Sequence, residues 1–387
     1  MLLKLVIHST ILLSAIFFKI KNKGKKNGIH FFFPFYHVGG GEKVHLQIVS
    51  SVSDYNPQIY FTCLSNDLRY LDDFKIAGNV YDLSDKLSKT GLSKYFYLGK
   101  IVASIGGKSI VFGANTKFFY LILPFLSKSV YKVDLIHAFC DEDRPGYEGY
   151  SIPYVKLLDK RVVINEDTKT KLYKLYEKLG LNQKFYERII TIRNYVDIPY
   201  QINTRPINNK IIRIAYIGRG SEEKRIYLIG KIASALKSYD YEVLVIGCCD
   251  EWVLEEDREN CIFLGKILNN ETITEAYNNI DAVLITSYRE GSPLALMESM
   301  SHGAIPISTN VGGISEFITD GYNGFLVKNH SNEDKIVDDF VSILLKLFGD
   351  HALPENISNN CYNYSKVFFD KNLFIKKYRT LLLNREY

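Results

Sequence analysis

Short apolar runs recur along the chain at residues 29–33, 58–62, 109–112, 133–136 and 161–164, with helical stretches between most of them. Runs of this length between polar or glycine-containing segments read as buried strands. Their alternation with helices predicts a parallel sheet covered by helices. Around 197–206 the pattern breaks into polar residues and prolines, as a domain linker does. A second series then starts at 211–217 and continues through 241–246, 261–264, 282–286, 305–308 and 324–327, with a helix over 226–235. Residues 365–383 read as one long closing helix. The expected fold class is α/β, with two Rossmann-like, doubly wound domains facing a cleft. The expected divisions are a hydrophobic and basic segment at 1–28, a first domain at 29–200, a second at 201–364, and a C-terminal helix at 365–387 packing back toward the first domain.

The start of the chain departs from this rhythm. Residues 5–18 are mostly apolar, and a cluster of lysines follows them directly. A cleaved leader carries its charges first and ends in small residues, so Phe17-Phe18-Lys19 fits that reading poorly. The run is short for a full bilayer crossing of about 20 residues. It reads as a marginal anchor or as a helix lying in the membrane interface, with a buried first strand or helix as the alternative. An anchor with its lysines held inside places the body on the cytoplasmic side of the membrane.

Charge sharpens that asymmetry. The net charge is +5, and residues 1–28 hold six lysines and no acid, which leaves the remainder at −1. A near-neutral body argues against nucleic acid as a partner. The chain has 387 residues, enough for two domains of ordinary size. Its six cysteines include one adjacent pair and no CxxC, so neither a zinc site nor a disulfide framework is indicated.

The most informative stretch is residues 289–298, which place Glu290 and Glu298 eight positions apart, the first before a helix and the second inside it. Ser292 is a suitable N-cap, Pro293 suits the first helical position, and Gly303 a stop. Glu290 thus sits on a strand-to-helix loop, where open α/β sheets bind ligands, beside a helix start that favours anions. The alternative is an ordinary helix with one exposed and one loop carboxylate. Gly39, Gly40 and Gly41 also lie between a strand and a helix, a pattern that suits close approach to a ligand or simply a tight turn. Arg219 and Lys224, on the loop opening the 226–235 helix, would converge on a diphosphate or be neutralised locally by Glu222 and Glu223.

Taken together these motifs resemble the retaining family-four glycosyltransferases of the GT-B fold. The resemblance includes residues 193–197, Val311-Gly312-Gly313-Ile314-Ser315-Glu316 and residues 320–324, covers about residues 29–385, and is strongest over 211–328. It implies transfer of a sugar from a nucleotide-sugar donor to a hydroxyl of a lipid-linked or oligosaccharide acceptor, in cell-surface polysaccharide or glycoconjugate synthesis. Arg219 and Lys224 would hold the leaving diphosphate, Glu290 the donor sugar and Glu298 the ribose. Leu294, with the loop at Ser292, would offer a backbone N–H, and Gly39, Gly40 and Gly41 would face the phosphates from the first domain. His137, which follows the 133–136 strand, would contact the donor sugar. Base selectivity would lie near Leu264-Gly265-Lys266. Asn194-Tyr195 replaces the usual Asn-Gly of the family's turn.

No metal or other cofactor is expected, because the family's cations are Arg and Lys; Asp141-Glu142-Asp143 reads as an acidic loop despite its Asp-x-Asp spacing. A nucleotide-sugar epimerase on the same fold and a silent nucleotide-sugar-binding subunit are the alternatives.

Overall fold

The computed structural model describes residues 2–21, 27–37, 39–140, 146–202, 211–267, 269–349 and 353–384. The chain divides into two compact units, Met1–Ile192 with Leu373–Tyr387, and Arg193–Asn372.

In the first unit seven parallel strands form one sheet: β1 (Ile29–Phe33), β2 (Gln58–Phe61), β3 (Asn79–Asp82), β4 (Ile110–Ala114), β5 (Tyr131–Ile136), β6 (Lys160–Val163) and β7 (Ile189–Thr191). Their order is β3-β2-β1-β4-β5-β6-β7, so the direction of winding reverses between β1 and β4. A central parallel strand is covered on both faces, which is why β1 is an unbroken apolar run: Phe31, Phe32 and Phe33 are all fully buried. A buried ion pair ties β5 to β6. Arg161 donates from Nε to both carboxylate oxygens of Asp134, at 3.0 and 3.1 Å, and from Nη1 to the Tyr176 hydroxyl at 2.8 Å. The C-terminal segment of this unit is held by Arg379, whose Nη1 and Nη2 bond the Asp54 carboxylate at 2.7 and 2.9 Å.

The apolar start is a helix, Leu2–Lys21, packed along the Ser93–Ser104 helix. Gly99 makes that contact close: a Cβ there would meet the Ile11 carbonyl oxygen at 2.5 Å. Ile11 is fully buried in a cluster with Leu98, Ile101 and Val102. One face therefore belongs to the unit's core, as the alternative reading held. Leu5, Leu13, Phe17 and Ile20 remain more than half exposed. No helix among the described residues is long and apolar enough to cross a membrane.

The second unit has six parallel strands: β8 (Ile212–Ile217), β9 (Tyr241–Ile246), β10 (Ile262–Gly265), β11 (Ala282–Ile285), β12 (Ile305–Thr309) and β13 (Phe325–Val327). Their order is β10-β9-β8-β11-β12-β13, with the reversal between β8 and β11. The expected closing helix over 365–383 is two helices, Leu353–Phe368 and Lys371–Arg379, followed by a π-turn at Thr380–Asn384. Burial of the Phe369 ring against Phe317 and Tyr364 turns the chain at that point.

Candidate functional site

In a doubly wound sheet, the loops leaving the two strands at the reversal point diverge and open a crevice at the strands' carboxyl ends. In the second unit these loops follow β8 and β11, and they carry Arg219, Lys224 and Glu290.

Lys224 Nζ donates to Glu290 Oε1 at 2.6 Å, and Ser287 Oγ donates to the same oxygen at 2.6 Å. The two charged side chains are only 20% and 7% exposed. The loops are also joined through their backbones. Thr286 Oγ1 donates to the carbonyls of Lys224 and Arg225, at 2.9 and 3.1 Å, and Tyr288 N donates to Glu223 O at 3.0 Å. This use of Thr286 explains why β11 stops at Ile285, one residue short of the expected strand.

Arg225 is a member of this construction that sequence reasoning missed. It adopts a left-handed conformation, φ 48°, which is uncommon for a residue with a side chain. Its guanidinium is buried and holds the β11 loop by Nε to Thr286 O at 2.7 Å and Nη2 to Ser287 O at 3.1 Å, with Nη2 also 2.8 Å from Asn329 Oδ1. The helix after β8 consequently begins at Tyr227, behind a 3-10 turn at Glu222–Lys224. No local sequence pattern signals a left-handed arginine.

Arg219 is different in kind. Its side chain is 74% exposed, and Nη2 donates to Glu223 Oε1 at 2.8 Å. That is the local neutralisation considered from the sequence, and Arg219 and Lys224 each hold a carboxylate of their own. Glu223 is held below its ordinary carboxylate range: burial opposes this, but hydrogen bonds and the Arg219 and Lys224 charges prevail. Tyr216, whose hydroxyl donates to Arg219 O at 2.8 Å, is pushed well above the usual phenol range, chiefly by burial.

The helix that follows Glu290 runs Leu294–Ser301, with the N-cap at Pro293. This corrects the expectation that Ser292 caps it and Pro293 opens it. With φ −69° and ψ 116°, Pro293 is extended and stands one position before the first helical residue. Ser292 Oγ instead approaches Met297 Sδ at 3.4 Å. Leu294 therefore supplies the helix's first N–H, because proline has none. Glu298 Oε2 accepts from the Tyr277 hydroxyl at 2.6 Å, and the Tyr277 ring stacks on His302 at 5.3 Å. Gly303, with φ 80°, ends the helix as its stop. Gly312 has φ 54°, and a Cβ added there would collide with the Glu290 carbonyl oxygen. The glycine thus lets the 311–316 turn press against the Glu290 loop. At the β9 and β10 ends, Gly247 N donates to Gly265 O at 2.7 Å, and Leu264 is 45% exposed.

In the first unit the loop after β1 leads to the Gly40–Ser50 helix, with Gly39 as an extended N-cap. A Cβ on Gly41 would meet nothing, and one on Gly39 would meet only the flexible Glu42 carboxylate. The backbone therefore does not require glycine at either position, and the loop gains openness rather than a special turn. His137, at the end of β5, places Nε2 at 2.8 Å from Nε2 of His45 in that helix. His45 is fully buried and stacks on Phe33 with ring centroids 4.2 Å apart. Burial lowers His137 to about 4, and burial with the His137 charge holds His45 well below its usual value. At neutral pH one nitrogen of this contact donates and the other accepts. His45 was not read from the sequence, where it is one polar residue within an amphipathic helix.

Asp141, Glu142 and Asp143 lie outside the described residues. No group of three or more metal-ligating side chains occurs among the described residues.

Residues 197–364 match the family described as glycosyl transferases group 1. An uncharacterized glycosyltransferase of Methanocaldococcus jannaschii is 24% identical over 200 residues, covering 50% of this chain and 53% of that protein. A capsular polysaccharide biosynthesis glycosyltransferase, CapM, of Staphylococcus aureus is 28% identical over 158 residues, covering 38% of this chain and 39% of the relative. The chain spans about half the length, or less, of the curated relatives it matches. Among solved structures, that of the Anabaena protein HepE in complex with UDP superimposes with a TM-score of 0.73 at 15% identity, over 92% of this chain and 100% of that one. Residues 197–364 are thus similar to the group 1 glycosyltransferases, and the two parallel-sheet units have the GT-B fold.

Proposed function

We propose that the protein is a retaining glycosyltransferase that moves a sugar from a nucleotide-sugar donor to a hydroxyl of a lipid-linked or growing glycan acceptor. The observation that carries this reading is the Lys224–Glu290 pair at the point where the second sheet reverses. A diphosphate needs cations, and a sugar needs carboxylates that accept from its hydroxyls; here both arrive on adjoining loops at a ligand-binding position. Lys224 has two further N–H donors for phosphate oxygens while the first holds Glu290 in place. Arg219, extended into solvent, closes on the other phosphate by giving up Glu223. Glu298, oriented by Tyr277, takes the ribose, and the Leu294 N–H lies at the helix start between the two carboxylates. Stabilisation of the departing diphosphate is the largest catalytic term in this scheme. His137 and the glycine loop, Gly39 to Gly41, serve from the first unit, and His45 fixes the His137 imidazole.

The two cations neutralise the diphosphate in this reading without a metal, so activity is expected to persist in a chelator. The membrane is a further partner. The exposed apolar face of the Leu2–Lys21 helix, with lysines beyond it, suits the interface of an anionic bilayer on the cytoplasmic side. Because Ile11 and Gly99 tie this helix into the core, deletion of residues 1–28 would test folding rather than attachment. Replacing Leu13 and Phe17 with Glu should abolish flotation with anionic vesicles while the melting temperature holds.

The transferase reading is tested by thermal-shift screening of nucleotide sugars, since a donor that binds the folded state raises apparent stability. NMR of the product made with the stabilising donor follows. Retention of the donor's anomeric configuration is expected. A product of inverted configuration defeats the retaining assignment, and turnover of the donor without an acceptor would indicate an epimerase.

A further inference from the structure

The second unit has a cavity of about 1030 Å³ on which the donor reading makes no demand. It lies between the loop that leaves β8, the first turn of the Tyr227–Leu236 helix, and the Asn329–Asp334 segment that enters the Glu333–Gly349 helix. That volume is on the scale of pockets that hold small molecules, about 300–1,000 Å³. None of Arg219, Lys224, Glu290 and Glu298 lines it.

Three aromatic side chains line the cavity: Trp252, Tyr227 and Tyr288. Tyr288 is 41% exposed. Such rings offer flat apolar faces, and those of Tyr and Trp carry a polar edge. Much of the polar lining is already bonded within the cavity wall. Arg225 reaches Asn329 Oδ1 at 2.8 Å, Tyr227 donates to Glu333 Oε1 at 2.7 Å, and Lys231 pairs with Asp334 at 2.9 Å. Glu222, Glu333 and Asp334 set three carboxylates against the two cations Arg225 and Lys231, and both cations have a carboxylate partner. That balance opposes a nucleotide or phosphate, because no unneutralised cation waits for one. It suits a ligand that is neutral and rich in hydroxyls, with C–H faces for the rings and O–H donors for the carboxylates and amides.

We propose that this cavity is a second saccharide-binding site, taking an uncharged stretch of glycan on side chains other than Arg219, Lys224, Glu290 and Glu298, although it shares the loops after β8 and β11 with them. It goes beyond the donor reading and stands without it, since it requires only sugar binding. Its position gives it a consequence for the reaction. A Cβ added to Gly220 would collide with the Trp252 indole, so that ring lies directly against the loop that carries Arg219. A glycan seated on Trp252 holds a growing chain on the enzyme between turnovers and steadies the loop.

Trp252 is the only tryptophan in the protein, so its fluorescence reports this cavity without labelling. The full chain is titrated, without any nucleotide, with cellotetraose, maltotetraose and chitotetraose separately. At least one is expected to change the Trp252 emission saturably. Tyr288→Ala is expected to weaken that apparent Kd about threefold to tenfold, the loss of one aromatic contact, with the melting temperature kept within the scatter of replicate scans. Glu222→Gln, at an exposed position outside the bonded network, is expected to weaken it in the same direction. The proposal is overturned if none of the three saccharides gives a saturable change, or if a saturable change is untouched by both substitutions. It is equally overturned if UDP competes for the response, because the ligand would then occupy the donor site. Absence of transferase activity leaves these titrations standing, and a failed titration leaves the donor reading standing.

Discussion

Replacing Lys224 by Met separates what its ion pair does for the fold from what it does for chemistry. Met keeps the length of the stem and removes the charge, leaving Glu290, whose side chain is 7% exposed, with Ser287 as its hydroxyl donor. At 2.6 Å and an effective dielectric near 20, the gross attraction of the pair is about 6 kcal/mol. Most of this is offset by desolvation of the two charges. The pair is too buried for the surface value of about 0.2–1 kcal/mol, and Lys224 keeps too much water contact for the full cost of breaking a buried pair, about 3–5 kcal/mol. Lys224→Met is therefore expected to cost about 3 kcal/mol, because it strands a carboxylate. Glu290→Gln costs less, about 1.5 kcal/mol, because the amide still accepts and the lysine can turn to water.

The double variant is expected near 2.5 kcal/mol rather than the additive 4.5, a coupling of about 2 kcal/mol. Urea unfolding followed by Trp252, the sole tryptophan and a residue of the second unit, measures each value for the unit concerned. Activity should not follow stability. All three variants are expected to lose about 10²-fold or more in kcat, and the double variant should regain stability without regaining turnover. A coupling below about 0.5 kcal/mol would show that the pair is not formed in solution. A double variant with near-normal turnover would refute the assignment of these residues to the reaction.

Arg219→Ala is expected to cost about 10²-fold in kcat with little loss of stability, since its side chain is exposed and its one ion pair is local; steady-state kinetics beside a melting curve decide it. Gly312→Ala should lower both melting temperature and donor affinity, because the left-handed backbone costs about 1–2 kcal/mol with a side chain and the new methyl displaces the Glu290 carbonyl. Arg161→Met leaves Asp134 charged and fully buried, and is expected to destabilise the first unit by about 3–5 kcal/mol, most of it recovered in the Asp134→Asn, Arg161→Met double variant. His30 is buried, and burial lowers it from 6.5 to about 4. The unfolded chain thus binds the proton first as pH falls, so this residue's contribution is complete above about pH 6.5 and is lost on descent toward pH 4. In His30→Phe, where the aromatic contact with Tyr60 is kept, the fall in melting temperature between pH 7 and pH 4.5 should be shallower than in the parent, and an unchanged slope would contradict the assignment.

The central strands were legible because a buried parallel strand has no polar face to maintain, whereas the two edge strands β3 and β7, which are short and only partly buried, were not read from the sequence. The β1 phenylalanines and the β9 run at Tyr241–Ile246 announce themselves by composition alone. The ends of elements were less legible, because there the side chains answer to distant backbone. Thr286 has strand chemistry but spends its hydroxyl on the carbonyls of Lys224 and Arg225, so the strand ends before it. Ser292 has N-cap chemistry, but Pro293 is fixed in φ and takes the capping position in an extended state. The closing helix breaks at Phe369 because that ring is buried against Phe317, a contact that helical periodicity does not encode. The His45–His137 contact is set by how a helix seats on its sheet, and 92 residues separate its members.

The paired carboxylates show how strand order turns a weak sequence signal into a site. Glu290 and Glu298, eight apart, have no specific meaning by themselves. Lys224 and Glu290 are 66 residues apart, and β9 and β10 intervene between them in sequence. Were the strands laid down in sequence order, those two would separate the loops after β8 and β11 by two further strand spacings of nearly 5 Å each. The observed order instead places β8 beside β11, and the ammonium meets the carboxylate at 2.6 Å. The same adjacency explains the costly features nearby: a left-handed arginine that clasps the β11 loop, and a glycine at 312 that lets the next turn reach it. Strain of this kind persists where the surroundings over-determine it, and here the surroundings are the two loops it holds together. A pair of acid and base groups working by proton transfer would not need Glu298 braced by Tyr277 one turn into the helix. On the proposed transferase reading, a clamp on an extended ligand does, because both of its ends must be fixed before the bond between sugar and phosphate can be strained toward breaking.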